Sequence, residues 1–214
     1  MRRILITLVT SCASLAGLGP AAPASAHEFH SEIMPTLLRG TAASTFENSV
    51  NANQIKCAKA SFLSTVSGTA VTQIRIHPIY ENCLTTKNEK VVEIFTMGCD
   101  YILQGKTSEG GHGQLSIDCV AGTKIEYKIG ALCTASFTSQ VAAEGVHYVN
   151  AGEKTKRDFA ATLTASGLVY EQTGASCSTY FGNGKDGRLT GTYTTQGFKD
   201  LEGVPGEQVG VWVE

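Results

Sequence analysis

The stretch Thr72-Gln73-Ile74-Arg75-Ile76-His77 decides the fold class of this chain. In an extended backbone its two isoleucines fall on one face, and its glutamine, arginine and histidine fall on the other. This alternation is typical of a half-buried β-strand, because successive side chains of a strand point to opposite faces. The stretch therefore predicts a strand with one face in a core and one face in water.

The same period of two recurs along most of the chain. It predicts further strands at 125–129, 146–149, 159–165 and 209–213, and a more continuous apolar run predicts a central strand at 91–96. Gly, Asn and Ser residues separate the segments at intervals of roughly 8 to 12 residues, which is typical of a sandwich or a barrel. No amphipathic helix is predicted. We therefore expect an all-β fold, a disulfide-stabilised antiparallel β-sandwich.

Composition and charge exclude several classes of protein. The 214 residues include 23 Gly and 5 Pro, and charged residues make up 17%. These values exclude a coiled coil, a collagen-like chain and a strongly charged disordered chain. A net charge of -2 provides no basic surface for nucleic acid, so no nucleic-acid partner is expected.

The first 26 residues have the layout of a secretory signal peptide. Two arginines follow the initial methionine, an apolar run covers 4–9, and Ala24-Ser25-Ala26 forms an A-x-A cleavage site. We expect a secreted, extracellular chain that begins at His27 and has no transmembrane segment. Removing the two arginines leaves 15 cationic and 19 anionic side chains, a net charge of -4. As an alternative, acylation at Cys12 would anchor the protein in a membrane.

Six cysteines remain after the signal peptide. An exported chain with an even number of cysteines is expected to form disulfide bonds. The six are Cys57, Cys83, Cys99, Cys119, Cys133 and Cys177.

The positions of predicted turns favour one disulfide pairing. The pair Cys99–Cys119 flanks the Gly-rich segment 107–113, and the pair Cys57–Cys83 flanks a turn near 67–70. Two cysteines at equal distances from a hairpin turn face each other across the two strands. The remaining bridge would then be Cys133–Cys177.

A weak internal similarity leaves a second organisation open. The segment Cys57-Ala58-Lys59-Ala60-Ser61-Phe62 resembles Cys133-Thr134-Ala135-Ser136-Phe137. The chain could therefore consist of two related β units fused together, and a pairing such as Cys57 with Cys99 would then be favoured.

The domain organisation is expected to be simple. No linker rich in proline or charge separates the two halves, so we expect one β-sandwich domain over 46–214. A loosely ordered segment is expected over 27–45, because Pro35 and Gly40 interrupt any long element there.

Aromatic residues near the C-terminus are candidates for ligand binding. If exposed, they could form a platform for an extracellular glycan or protein. The alternative is that these rings fill the core. The candidates are Tyr180, Phe181, Tyr193 and Phe198.

A copper site is a second hypothesis. Signal cleavage would free the α-amino group of His27 beside its imidazole, and this pair with another histidine could clamp copper. His30 is the partner considered first. The other possible partners are His77, His112 and His147.

No catalytic constellation is visible in the sequence. There is no G-x-S-x-G motif, and bridged cysteines offer no thiol nucleophile. We therefore expect a non-enzymatic binding or cell-envelope protein without a cofactor. A secreted hydrolase or hydrolase inhibitor, with a cleft that the sequence does not show, is the alternative.

Several short segments carry a resemblance to a known group of proteins. Ala26-His27-Glu28-Phe29-His30-Ser31-Glu32, Pro78-Ile79-Tyr80-Glu81-Asn82-Cys83 and Gly98-Cys99-Asp100-Tyr101 resemble secreted, cysteine-containing, β-rich proteins of soil actinobacteria that have no assigned activity. The resemblance implies a secreted β-rich protein and carries over no catalytic residue.

Overall fold

A computed structural model describes residues 28–47, 53–105, 111–131, 133–143, 145–152, 158–182, 184–201 and 204–214. The predicted signal peptide, Cys12 and His27 lie outside these residues. The first nine strands are β1 Phe29–Ser31, β2 Thr36–Glu47, β3 Gln54–Val66, β4 Ala70–Val71, β5 Gln73–Thr85, β6 Val91–Phe95, β7 Cys99–Gly105, β8 His112–Cys119 and β9 Ile125–Ile129. The remaining elements are β10 Cys133–Phe137, β11 Gln140–Val141, β12 Val146–Ala151, β13 Asp158–Leu168, β14 Glu171–Thr173, α1 Cys177–Tyr180, β15 Gly187–Leu201, β16 Val204–Val209 and β17 Val211–Val213.

Eight of the strands form a closed antiparallel circuit. The order of pairing is β2, β3, β5, β7, β8, β12, β13 and β15, and β15 pairs in turn with β2. Every strand of the circuit contributes to a single hydrophobic core. The prediction of an all-β, antiparallel, disulfide-stabilised fold is confirmed. Because the circuit is closed, none of its eight strands is an unpaired edge of the sheet.

A second group of strands branches from the circuit at β5. The N-terminal part of β5 pairs with β7, whereas Cys83 and Leu84 near its other end pair with β6. From β6 the sheet continues through β9 and β10 to β14. A separate three-stranded sheet joins β17, β1 and β4, which brings the two ends of the described chain together.

The side chains of β5 alternate as the sequence predicts. Ile74 and Ile76 are 2% and 1% exposed, whereas Gln73, Arg75 and His77 lie on the outer face. Successive side chains of a strand point to opposite faces, so the outer face of the circuit is where polar and charged side chains of β5 meet those of the neighbouring strands, although β7 departs from strict alternation because Ile102 is buried beside Tyr101 and Leu103.

The segment 27–45 differs from the expectation of a loose start. Its described residues include β1 and most of β2, and β2 lies between β15 and β3 in the circuit. Pro35 lies in the connection between the two strands. Gly40 does not interrupt β2, because the absence of a side chain there makes room for the ring of Phe62.

The three predicted disulfide bonds are confirmed as Cys57–Cys83, Cys99–Cys119 and Cys133–Cys177. The first two join residues that lie directly opposite each other in adjacent antiparallel strands. The third ties α1 to β10. The alternative pairing of Cys57 with Cys99 is therefore wrong. The fusion of two related units stays a prediction.

Candidate functional site

A groove of about 330 Å³ crosses the outer face of β2, β3 and β5. Pro205 of β16 borders it. Its lining combines cationic, hydroxyl and aliphatic side chains. Those that reach it from the three strands are Arg39, Thr41, Lys59, Ser61, Leu63, His77 and Ile79.

The register of the three strands explains why these side chains meet. Arg39 is directly opposite Leu63, and Leu63 is opposite His77, so the three form one row across the strands. Two residues further along, Thr41, Ser61 and Ile79 form a parallel row. Residues two apart on a strand share a face, so both rows point outward and together form the groove.

The aliphatic part of the groove is accessible to solvent. Leu63 is 51% exposed and Ile79 is 52% exposed, although both lie within the strands of the closed circuit. Covering such side chains with an apolar part of a ligand is favourable by ~25 cal/mol for each Å² removed from water. Burial of an apolar group against Leu63 and Ile79 would therefore contribute binding free energy without any charged interaction.

Cationic side chains border this aliphatic surface. Arg39 is exposed, and within the part of the chain that the structure describes it forms no ion pair. Lys59 lies 2.9 Å from a carboxylate oxygen of Glu81, and both side chains are about half exposed. The guanidinium of Arg39 is thus available for an anion, since an arginine can bind carboxylate or phosphate oxygens through two parallel hydrogen bonds.

A charged network lies at the β5 end of the groove. Arg75 donates hydrogen bonds to Asp100 at 3.0 Å and to Asp118 at 2.6 Å. These bonds, first to Asp118 and then to Asp100, raise the pKa of the guanidinium above its usual value. Asp100 and Asp118 are directly opposite each other on β7 and β8. Arg75 therefore bridges two carboxylates that would otherwise repel each other.

His77 connects this network to the groove. Its Nδ1 lies 3.0 Å from Asp100 Oδ1, and its Nε2 lies 3.3 Å from the hydroxyl of Thr96. A histidine held between a carboxylate and a hydroxyl has the connectivity of a hydrolase triad. However, Thr96 is 8% exposed and donates its proton to the carbonyl of Pro78 at 3.0 Å. The contacts therefore fix the orientation of the imidazole and leave no hydroxyl nucleophile facing the groove from Thr96.

The proposed aromatic platform is corrected by the structure. Tyr180, Phe181 and Tyr193 are 7%, 0% and 1% exposed, because they point into the core. Phe198 on β15 is half-buried. Tyr193 packs against Phe62 with ring centroids 5.5 Å apart, so its ring stabilises the closed circuit and presents no face to a ligand.

The residues of the copper hypothesis are only partly described. His27 lies outside the described residues. His30 is half-buried, stacks on Trp212 at a centroid distance of 5.4 Å, and lies 3.8 Å and 4.0 Å from carboxylate oxygens of Glu28 and Glu214. In the described ranges no group of three or more His, Cys, Asp or Glu side chains is arranged to hold a metal ion.

Sequence reasoning missed the groove, and the sequence carries only a weak signal of it. The outward positions in the first part of β5 are Gln73, Arg75, His77, Ile79 and Glu81, so Ile79 is the one aliphatic residue among these five. Leu63 interrupts the outer face of β3 in the same way. A single exposed apolar residue is common and indicates nothing by itself, and the strand alignment that brings Leu63 and Ile79 to the same groove appears only in the fold.

None of the helical residues in the described part of the chain forms a segment long and apolar enough to cross a membrane. Comparisons of the chain with protein-family models, with curated proteins and with solved structures give no match.

Proposed function

We propose that this chain is an exported, non-enzymatic binding protein and that the groove across β2, β3 and β5 is its ligand site. The ligand class is an anion that carries an apolar portion, such as the carboxylate, phosphate or sulfate group of an amphiphile from a cell envelope. The partner expected from the sequence was an extracellular glycan or protein. The exposed aliphatic side chains of the groove favour an amphiphile.

One observation carries this proposal. Arg39, without an ion-pair partner among the described residues, lies directly across from Leu63, which is half exposed. The chain as a whole is anionic. A cation beside an aliphatic surface on an anionic protein is complementary to a ligand with one charged and one apolar end.

Export is supported by two independent features. The first 26 residues have the layout of a signal peptide. All six cysteines that follow them are paired in disulfide bonds, which persist in oxidising compartments outside the cytosol. Both features agree with a protein that meets its ligand at or beyond the cell surface.

The test compares two dyes that differ in one charged group. Anilinonaphthalene sulfonate has an anionic and an aromatic part, and N-phenylnaphthylamine is its uncharged analogue. Fluorescence titration of the chain from residue 27 should show saturable binding of the anionic dye. Arg39→Gln should weaken that binding about tenfold or more, because a charge-assisted hydrogen bond is lost, and should leave the uncharged dye almost unaffected.

Two further variants sharpen the test. Lys87→Gln removes the same charge from an exposed turn away from the groove and should leave both dyes unaffected. Ile79→Thr should weaken both dyes, because it removes part of the aliphatic surface. If neither R39Q nor I79T changes the affinity for the anionic dye, the groove is excluded as the ligand site. Hydrolysis of p-nitrophenyl laurate that falls with His77→Gln would contradict the non-enzymatic assignment.

A further inference from the structure

Two histidines face each other on the outer side of the circuit, where β8 and β12 meet. His112 of β8 is directly opposite His147 of β12, and their ring centroids are 5.0 Å apart. His112 is exposed and His147 is half-buried, so solvent reaches the pair. Both side chains are outside the groove described above.

The backbone places these two residues at the closest kind of cross-strand position. The amide of Tyr148 donates to the carbonyl of Gly111 at 2.8 Å, one residue beyond His147 and one residue before His112. In an antiparallel ladder this pattern identifies His112 and His147 as a non-hydrogen-bonded pair, in which side chains approach more closely than in the alternate pairs. The two imidazoles are therefore brought together by main-chain geometry.

The absence of hydrogen bonds and ion pairs to described residues distinguishes this pair from the other described histidines. In the described ranges neither His112 nor His147 forms a hydrogen bond or an ion pair. By contrast, His77 is held by Asp100 and Thr96, and His30 is close to two carboxylates. Either ring nitrogen of each facing histidine is thus available to bind a metal ion when it is the unprotonated one.

The separation of the rings suits a shared metal ion. Zinc–imidazole bonds are about 2.0–2.1 Å long, so one such ion bound by two rings at a tetrahedral or right angle holds the ring centres on the order of 4.5–5 Å apart. Imidazole nitrogen is a preferred ligand of Cu²⁺ and Zn²⁺, and Cu²⁺ binds more tightly than the other divalent ions of the first row.

We propose that His112 and His147 form a two-histidine site for a divalent late first-row cation, with Cu²⁺ preferred over Zn²⁺. Each histidine contributes one ring nitrogen, and water or a donor from a partner molecule completes the coordination. The site uses none of the groove residues. It also needs no α-amino group, unlike the copper hypothesis in which His112 and His147 are possible partners of His27.

The experiment is a titration of the chain from residue 27, without a polyhistidine tag, with CuCl₂ and separately with ZnCl₂. Calorimetry gives stoichiometry and affinity, and electron paramagnetic resonance counts the nitrogen ligands of bound Cu²⁺. A parallel series carries His27→Ser, because a terminal amine beside an imidazole chelates copper by itself. In that series we expect one Cu²⁺ per chain, with two equatorial imidazole nitrogens.

Matched histidine variants decide the outcome. His112→Gln or His147→Gln should weaken Cu²⁺ binding at least about tenfold, since one imidazole then replaces a chelate. His30→Gln and His77→Gln should leave binding unchanged. Near-ultraviolet circular dichroism checks that the variants fold. In the parent chain, Cu²⁺ should broaden the nuclear resonances of these two imidazoles before those of His30 and His77.

Three results would overturn the proposal. The first is undiminished Cu²⁺ binding by the double variant H112Q/H147Q. The second is loss of all binding in the His27→Ser series, which would instead support a site at the chain terminus. The third is no binding at micromolar metal in either series.

Discussion

Gly40 of β2 lies directly opposite Phe62 of β3, and the ring of Phe62 occupies the space that a Cβ atom at residue 40 would need. Phe62 is 2% exposed, and its ring also packs against Tyr193 of β15. A glycine in the middle of a strand thus allows an aromatic ring to pack over the backbone, and it links three strands on the inner side of the circuit.

Gly40→Ala should therefore lower the free energy of unfolding by about 1–3 kcal/mol, the usual cost of forcing an extra carbon into a well-packed core. Urea denaturation measures the change. Phe62→Leu removes the ring, so adding G40A to F62L should cost clearly less than adding it to the parent chain. Equal costs in both backgrounds would show that the ring does not restrict residue 40.

The same position shows how far sequence reasoning reaches. Alternation within a strand is a local pattern, so the sequence predicts the all-β fold class. It also predicts the two disulfide bonds that cross hairpins, because these depend on the positions of turns. The sequence alone predicts an interruption at Gly40, because the ring of Phe62, which requires a glycine there, lies 22 positions away and reaches it only through strand pairing. Local patterns report the conformation of a segment and not which distant side chain covers it.

For the candidate site too, one part could be predicted from the sequence and another could not. Tyr193 alternates with Thr192 and Thr194, a pattern that places a tyrosine inward and two threonines outward, so its burial could have been inferred from the sequence. The row formed by Arg39, Leu63 and His77 could not have been inferred from the sequence, because it depends on how β2, β3 and β5 pair in the folded chain.

Two buried threonines predict opposite responses to the same substitution. Thr195 and Thr36 are both 0% exposed. Thr36 Oγ1 donates to the carbonyl of Ile33 at 2.7 Å, whereas the hydroxyl of Thr195 has no hydrogen-bond partner among the described residues. Thr195→Val should raise the free energy of unfolding by about 1–2 kcal/mol, because it removes an unpaired buried hydroxyl, and Thr36→Val should lower it by a similar amount.

Chemical denaturation of the two valine variants under identical conditions provides the measurement. Valine has nearly the same shape as threonine, so changes in packing are matched between the two sites. If T195V destabilises the chain as much as T36V, the hydroxyl of Thr195 contributes to the fold and the prediction is wrong.

The two carboxylates that Arg75 separates predict an electrostatic effect. Asp100 and Asp118 face each other directly, and like charges at such positions destabilise a sheet. Arg75→Gln should lower the free energy of unfolding by about 1 kcal/mol, a small value because all three side chains reach solvent. The loss should be larger at low salt than at high salt.

Asp118→Asn provides the matched control. In the R75Q background it removes one of the opposed charges and should recover part of the lost stability, whereas in the parent chain it removes a partner of Arg75 and should destabilise. A cycle in which D118N has the same effect in both backgrounds would contradict the proposed role of Arg75. Unfolding in urea, which is uncharged, keeps the ionic strength under control.

Buried tyrosines predict a loss of stability in alkali. Burial is the first cause of a raised pKa at each of six tyrosines: Tyr80, Tyr101, Tyr127, Tyr148, Tyr170 and Tyr193. Several of these hydroxyls lie near one another in the core, and Tyr80 and Tyr101 are hydrogen-bonded at 2.9 Å. Tyr80 is partly buried and the other five are at most 5% exposed, so ionising those five in the folded state would place a charge where little water reaches.

The sign of the effect follows from proton binding. For Tyr170, burial and then the neighbouring Asp186 raise the pKa from 10.0 to about 12 in the folded chain. Between these values the folded state binds more protons than the unfolded state, so stability falls as the pH rises. The contribution is fully present below pH 10.0 and is lost by about pH 12. Urea midpoints should therefore decrease across this interval, and Tyr170→Phe should make the decrease shallower.

Tyrosinate absorbance and circular dichroism, followed together in alkali, distinguish burial from ordinary titration. The tyrosines with raised pKa values should ionise in step with unfolding, because their folded surroundings disfavour the charged form. If their absorbance changes with an ordinary midpoint near pH 10.0 while the β-sheet signal persists, these hydroxyls reach solvent and the packing of the core differs from the one described.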